Sequence, residues 1–188
     1  MLNKTQPTKG SLLISEPFML DPNFKRSVVL LAEHNEEGTI GYVLNQRSNL
    51  LLRDVLPDCP DANYPIYMGG PVGADTLHFI HCCDERISGG QEISKGIFWG
   101  GNFEALLLLI NSQQIDQEEI KFFVGYSGWE PGQLDRELEQ NSWLVTDNYK
   151  SAFVMNAHNE EGLWKEIVAN LGPRFAHIAN FPENPLWN

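Results

Sequence analysis

The chain has 188 residues, 42% hydrophobic and 20% charged, which is the length and balance of a single globular domain with a core, not of a disordered segment. Thirteen basic against twenty-five acidic side chains leave a net charge of −12, and acids outnumber bases in both halves, so no basic stripe exists to neutralise the phosphates of duplex DNA. Its apolar runs, such as Val28–Ala32 and Ala105–Ile110, are too short to span a bilayer, its start is polar, and its three cysteines form no C-x-x-C pair; together these predict a cytoplasmic protein without membrane contact or structural disulfides.

Residues 1–9 are polar and read as a flexible lead into one domain covering 1–188. Gly10 to Ser15 reads as a first strand, followed by a loop through Pro17 and Pro22. Ser27 to His34 and Thr39 to Asn45 are two strands rich in apolar and β-branched residues, and Asn35-Glu36-Glu37-Gly38 between them has turn chemistry, so the pair predicts a hairpin. Leu50 to Leu56 reads as one or two helical turns stopped by Pro57. Pro60 to Pro65 is a connector into a short strand at Ile66–Met68, and Gly69-Gly70-Pro71-Val72 is a turn. Thr76 to Cys83 predicts a buried strand and Asp84 to Gly101 a long glycine-rich excursion. Asn102 is placed to cap a helix over Phe103–Asn111.

Ile120 to Tyr126 reads as a strand that runs into Ser127-Gly128-Trp129-Glu130-Pro131-Gly132 before a helix over Gln133–Gln140. Two further helices are expected at Asp147–Met155 and Glu160–Leu171, the second ended by Gly172-Pro173. Strands concentrated before residue 127 and helices after it predict an α+β fold with a mixed, largely antiparallel sheet and helices packed around it.

The segments GSLLIS, SVVLLAEH with its return GYVLN, MGGPV, and above all the nineteen residues GYSGWEPGQLDRELEQNSW from Gly125 to Trp143 resemble, in this order, the blocks of the bacterial YqgE/AlgH family. The resemblance runs from about Gly10 to the C-terminus. Departures from it fall at Ser15, at Gln46-Arg47 and in the closing PENPLWN, outside the longest block. It implies a compact mixed α/β cytoplasmic fold of no established activity, with a regulatory label on one branch.

Polar and glycine-rich residues at strand ends suggest a cleft built from Asn45, from Gly69, Gly70 and Pro71, and from Gly125, Tyr126, Ser127, Gly128, Trp129 and Gln133. Glycine lets a ligand approach the backbone, and a strand-to-helix junction presents N–H groups. The blander alternative makes the glycines a tight turn and Tyr126, Trp129 and Trp143 core anchors, with Gly128 and Gly132 turning the chain into the helix. Asp135, Glu137 and Glu139 read as a solvated helix face.

His78, His81, Cys82 and Cys83 have the donor types of a metal site. On a strand, however, His78 and Cys82 face one way and His81 and Cys83 the other, so neither metal nor other cofactor is expected. Ser11, Ser127 and Ser142 lack a nucleophile-elbow context. A triad assembled from distant residues, Cys82 or Cys83 with His34, His158 or His177, stays open. The sequence thus favours a regulatory module that binds a small ligand or a protein partner, with a small-molecule hydrolase as the rival and a plain interaction scaffold third.

Overall fold

The computed structural model describes residues 5–155 and 162–181; residues 1–4, His158 and the tail from Pro182 lie outside the described residues. Strands β1 (Leu12–Ser15), β2 (Val28–Asn35), β3 (Gly38–Val43) and β10 (Trp143–Thr146) pair antiparallel in the order β10-β1-β2-β3. Long β9 (Ile120–Trp129) joins this sheet to a second one. Its last residues pair with β3, Thr39 opposite Trp129, while Phe122 to Val124 lie parallel to β5 (Pro65–Met68) and antiparallel to β6 (Val72–His81). Beyond β6 come β8 (Ile97–Trp99) and β7 (Gln91–Ser94), and β4 (Arg47–Leu51) borders β5. Among the described residues every strand pairing is antiparallel except that of β5 with β9, so the fold is α+β on a mostly antiparallel sheet, as the sequence predicts.

Both faces of the first sheet are covered, which explains the unbroken apolar runs of β1 and β2. Leu12, Ile14, Val28 and Leu30 face helix α5 (Leu163–Asn170), whose Trp164 is buried among them and donates its indole N–H to the Ser15 carbonyl at 2.9 Å. Leu13, Val29, Leu31 and Val43 face α3 (Gln133–Glu139) through Leu134 and Leu138. The second sheet buries Ile66, Phe79 and Phe122 under α2 (Phe103–Asn111) through Leu106 and Ile110.

The predicted hairpin forms, with Asn35 opposite Gly38 and Glu36-Glu37 at the tip. An irregularity in the pairing between Leu31 and Glu33 re-aims the outer end of β2. Asn102 caps α2, its Oδ1 accepting from the Ala105 N–H at 3.0 Å. Among residues 5–9, Pro7 is buried and the Thr8 N–H donates to Ser11 Oγ.

Several elements differ from the sequence reading. Leu50 and Leu51 belong to β4 and only Leu52–Val55 is helical, because Leu52 turns inward onto the second core. The expected excursion over 84–101 contains the β7–β8 hairpin. Only Ile93 of the four β7 residues is buried, so the apolar alternation that announces a strand is missing. The expected helix over Asp147–Met155 shrinks to Ser151–Met155, since Asp147 accepts from Ser11 Oγ at 2.5 Å and the Tyr149 hydroxyl donates to Ser94 Oγ at 2.8 Å. Of the expected helix over Glu160–Leu171, the described part is Leu163–Asn170. Among the described residues no helix is long and apolar enough to cross a membrane.

Candidate functional site

The residues proposed from sequence as one cleft fall into two places. The first is a crossing of backbones where the chain leaves β5 for β6. The Gly69 N–H donates to the Val124 carbonyl at 3.0 Å, and the Gly69 carbonyl accepts from Val43 N–H and from Ser127 Oγ, both at 2.9 Å. Gly125, at φ 69°, makes the matching kink in β9. No side chain fits here: a Cβ on Gly69 would lie 2.4 Å from the Gly125 carbonyl oxygen, and one on Gly70 2.4 Å from the Ser127 nitrogen. Gly69, Gly70, Gly125 and Ser127 are all buried, while Pro71 projects into solvent. Asn45 is spent nearby, accepting from the Val28 N–H at 3.0 Å and donating to the Arg26 carbonyl at 2.9 Å, which holds the start of β2. These residues join the two sheets.

The second place surrounds the hairpin tip. Beyond the crossing β9 continues as a strand through Trp129, three residues past the expected end, and it delivers Trp129 to the core while Tyr126 stays half-buried. The sharp turns occur at Gly125 and at Gly132 (φ 71°), whereas Gly128 is ordinary strand. An open groove of about 610 Å³ lies here, lined by Tyr126, Gly128, Trp129, Glu130 and Gln133 from β9 and the turn after it and by Glu33, Glu37, Gly38 and Thr39 of the hairpin. An adjoining lobe of about 320 Å³ shares Asn35, Gly38, Thr39 and Glu130 and adds His34, Glu36 and Asp135. Tyr126, Gly128, Trp129 and Gln133 are therefore the sequence candidates that line the groove. The hairpin tip is the part that sequence reading missed, although Asn-Glu-Glu-Gly, an acidic turn in an otherwise apolar hairpin, carried its signal.

Of the acidic residues read as a solvated face of α3, Asp135 and Glu139 are exposed, but Glu137 is half-buried and bonded inward. Its Oε2 accepts from the indole N–H groups of Trp129 (2.9 Å) and Trp143 (2.7 Å), and its Oε1 from Gln133 Nε2 at 2.9 Å. Gln133 returns its own Oε1 to the Glu130 N–H at 3.0 Å. One carboxylate thus fixes both tryptophans and the turn that forms the groove wall. Glu137→Ala removes the carboxylate that both indole N–H groups use and should lower the unfolding free energy by about 2–4 kcal/mol, with a smaller loss for Glu137→Gln, which keeps an acceptor oxygen. Chemical denaturation of both variants checks this; equal stability of wild type and Glu137→Ala would contradict it.

The strand bearing the suspected metal donors has another use. His81 is fully buried, its Nε2 2.9 Å from the Gly100 carbonyl, so that nitrogen carries the proton and Nδ1 accepts from the Cys83 N–H at 3.3 Å. Cys83 Sγ lies 3.7 Å from the same Nδ1, yet burial pushes the thiol up to about 11, leaving it protonated and a poor nucleophile. Cys82 is exposed and His78 turns toward Thr76, so the four donors do not converge; among the described residues no three His, Cys, Asp or Glu side chains gather for a metal. Of the hydroxyls, Ser11 donates to Asp147 and Ser127 to Gly69.

Burial lowers the His81 pKa, outweighing the Gly100 carbonyl that raises it. The unfolded chain therefore takes up a proton near pH 6.5 that the folded chain resists, so this contribution to stability is complete above about pH 6.5 and declines as pH falls below it. Denaturant midpoints between pH 7.5 and 5.5 should fall more steeply for wild type than for His81→Gln; identical slopes would contradict the assignment.

Comparison with known proteins shows the family and the fold. A UPF0301 protein of Chlorobium limicola is 41% identical over 179 residues, 95% of each chain, and one of Bacteroides thetaiotaomicron is 38% identical over 99% of this chain and 94% of its own. The solution structure of the AlgH protein of Pseudomonas aeruginosa is 32% identical and superposes with a TM-score of 0.70, covering 96% of this chain and 98% of that one. A crystal structure from Corynebacterium diphtheriae, 24% identical with a TM-score of 0.78 over 96% and 95% of the two chains, shares the fold. The AlgH-like profile itself matches residues 12–176, from the first strand to the end of the short helix Pro173–Ala176, and the chain belongs to that family.

Proposed function

We propose that the protein is a cytoplasmic, non-catalytic binding module with a regulatory role, and that its ligand or protein partner sits in the groove between the hairpin tip and the β9–α3 junction. Gly128 carries this reading. Glycine inside a strand weakens it and has to be explained by a bulge, a crossing chain or a ligand. Gly128 has neither of the first two: its backbone lacks a positive φ, and an added Cβ would meet only the Tyr126 ring edge at 3.4 Å and more distant atoms. It is exposed on the groove wall, where a side chain would occupy the space a ligand needs.

Because the fold does not need glycine there, Gly128→Phe should fill the groove and leave the melting temperature within about 2 °C of wild type, as for a surface change. A thermal-shift screen of metabolites and peptides should give stabilising ligands for wild type that Gly128→Phe loses. Ligands that stabilise both proteins equally would sink the groove as the site. The net charge of −12 supports regulation without direct contact to duplex DNA.

The hydrolase reading draws on one observation, the pairing of Thr39 Oγ1 with His34 Nδ1 at 2.7 Å, both residues lining the smaller lobe. A hydroxyl nucleophile needs such a base and also an orienting group and donors for the oxyanion. If the pair works this way, Thr39→Val abolishes turnover of an activated ester; equal turnover by wild type, Thr39→Val and buffer leaves binding as the function.

A further inference from the structure

Two features of the groove specify its occupant more closely than its shape alone, and what they imply rests on the groove being the binding site. The first is charge. Glu33, Glu37 and Glu130 line the main lobe and Glu36 and Asp135 the adjoining one, and among the described residues no Lys or Arg lines either. Arg136 Nη1 lies 3.5 Å from where a Cβ on Gly132, a lining residue of the smaller lobe, would stand. The second is form. The two lobes share Asn35, Gly38, Thr39 and Glu130 as lining, so carboxylates are spread along the hairpin tip and the start of the β9–α3 turn, with the half-buried Tyr126 and the exposed Gly128 lining the larger lobe.

We infer that the groove docks an extended, arginine-bearing segment of a partner protein, its backbone passing over Gly128 and its guanidinium groups set among Glu33, Glu37 and Glu130. Charge complementarity selects the cation and steers its approach. A guanidinium is favoured over an ammonium because it makes bidentate bonds to carboxylates and stacks on an aromatic face such as Tyr126. A chain is favoured over a single small amine because the carboxylates extend over both lobes, and one amine would engage only one of them.

The test uses a fluorescein-labelled octapeptide amide of alternating arginine and glycine, titrated with the full-length protein and followed by anisotropy. Against it stand two triple variants that remove equal charge: Glu33→Gln/Glu37→Gln/Glu130→Gln in the groove, and Asp58→Asn/Glu85→Gln/Glu104→Gln at exposed positions elsewhere. The groove variant should weaken binding by about tenfold or more and the control by less than about twofold, and Gly128→Phe should abolish it. Equal weakening by the two triple variants would overturn the inference, since net charge alone then attracts the peptide. Absence of peptide binding to wild type would overturn it too, as would spermidine displacing the peptide at lower concentration with the same dependence on the groove variant, which would assign the site to a small polyamine. Uncharged ligands from the thermal-shift screen that Gly128→Phe loses would retain the groove as the binding site and reject the arginine-bearing partner, so the two readings fail separately.

Discussion

Trp129→Ala should lower the unfolding free energy by about 3–5 kcal/mol, which for a chain of this size is a fall of roughly 6–20 °C in melting temperature. The ring is only 5% exposed and packs at 6.0 Å from the Phe24 ring and 5.8 Å, edge-on, from that of Trp143, so its removal opens a cavity between the first sheet and α3. The indole N–H bond to Glu137 is lost as well, and with it part of the brace that holds the β9–α3 turn. Trp129→Phe keeps most of the packing but not the bond and should lose less. A melting temperature for Trp129→Ala within 2 °C of wild type would contradict the placement of this residue in the core.

Gly70→Ala should have an effect of similar size for the opposite reason, an atom added where none fits. Gly70 has φ 153°, a conformation that strains residues with a Cβ, and the new carbon would stand 2.4 Å from the nitrogen and Oγ of Ser127. Backbone strain and overpacking each cost on the order of 1–3 kcal/mol, so a loss of about 4 kcal/mol is expected. The contrast with Gly128 makes the measurement specific. Both glycines belong to segments that sequence reading put in one cleft, yet one should tolerate no side chain and the other a phenylalanine. Equal stability of Gly70→Ala and wild type, by urea denaturation, would show that the crossing relaxes and is not a fixed junction.

Sequence patterns revealed those parts of the fold whose own residues state their environment. The β2–β3 hairpin is apolar on both sides of a turn, Asn102 stands before a helix with a side chain that can cap it, and the MGGPV and GYSGW segments announce unusual backbone. What these glycines do depends on partners far along the chain: Gly69 and Gly70 meet Gly125 and Ser127, more than fifty residues away, and no local pattern shows that a glycine is answering another backbone and not a ligand. Glu137 was misread for the same reason, because an acidic residue between Arg136 and Glu139 looks solvated until Trp129 and Trp143 arrive from two strands. The β7–β8 hairpin carries no alternation because its outer strand has a single buried residue, and β10 is a fully buried strand that sequence reading leaves unassigned between two expected helices. Gly128 was legible as part of a glycine-rich block, but its meaning came from knowing that the strand continues through it.

Of the two places where the candidate residues lie, only the groove is held to receive a ligand, and amide chemical shifts report on both at once. With 15N-labelled protein titrated with the ligands that emerge from the thermal-shift screen, the largest shifts should fall on Gly38, Thr39, Gly128, Trp129 and Glu130, with Gly69, Gly70 and Gly125 nearly unmoved. Shifts concentrated at Gly69, Gly70 and Gly125, or around the separate cavity of about 620 Å³ bounded by Tyr149, Phe153 and Ile167, would contradict the assignment of the groove as the functional site.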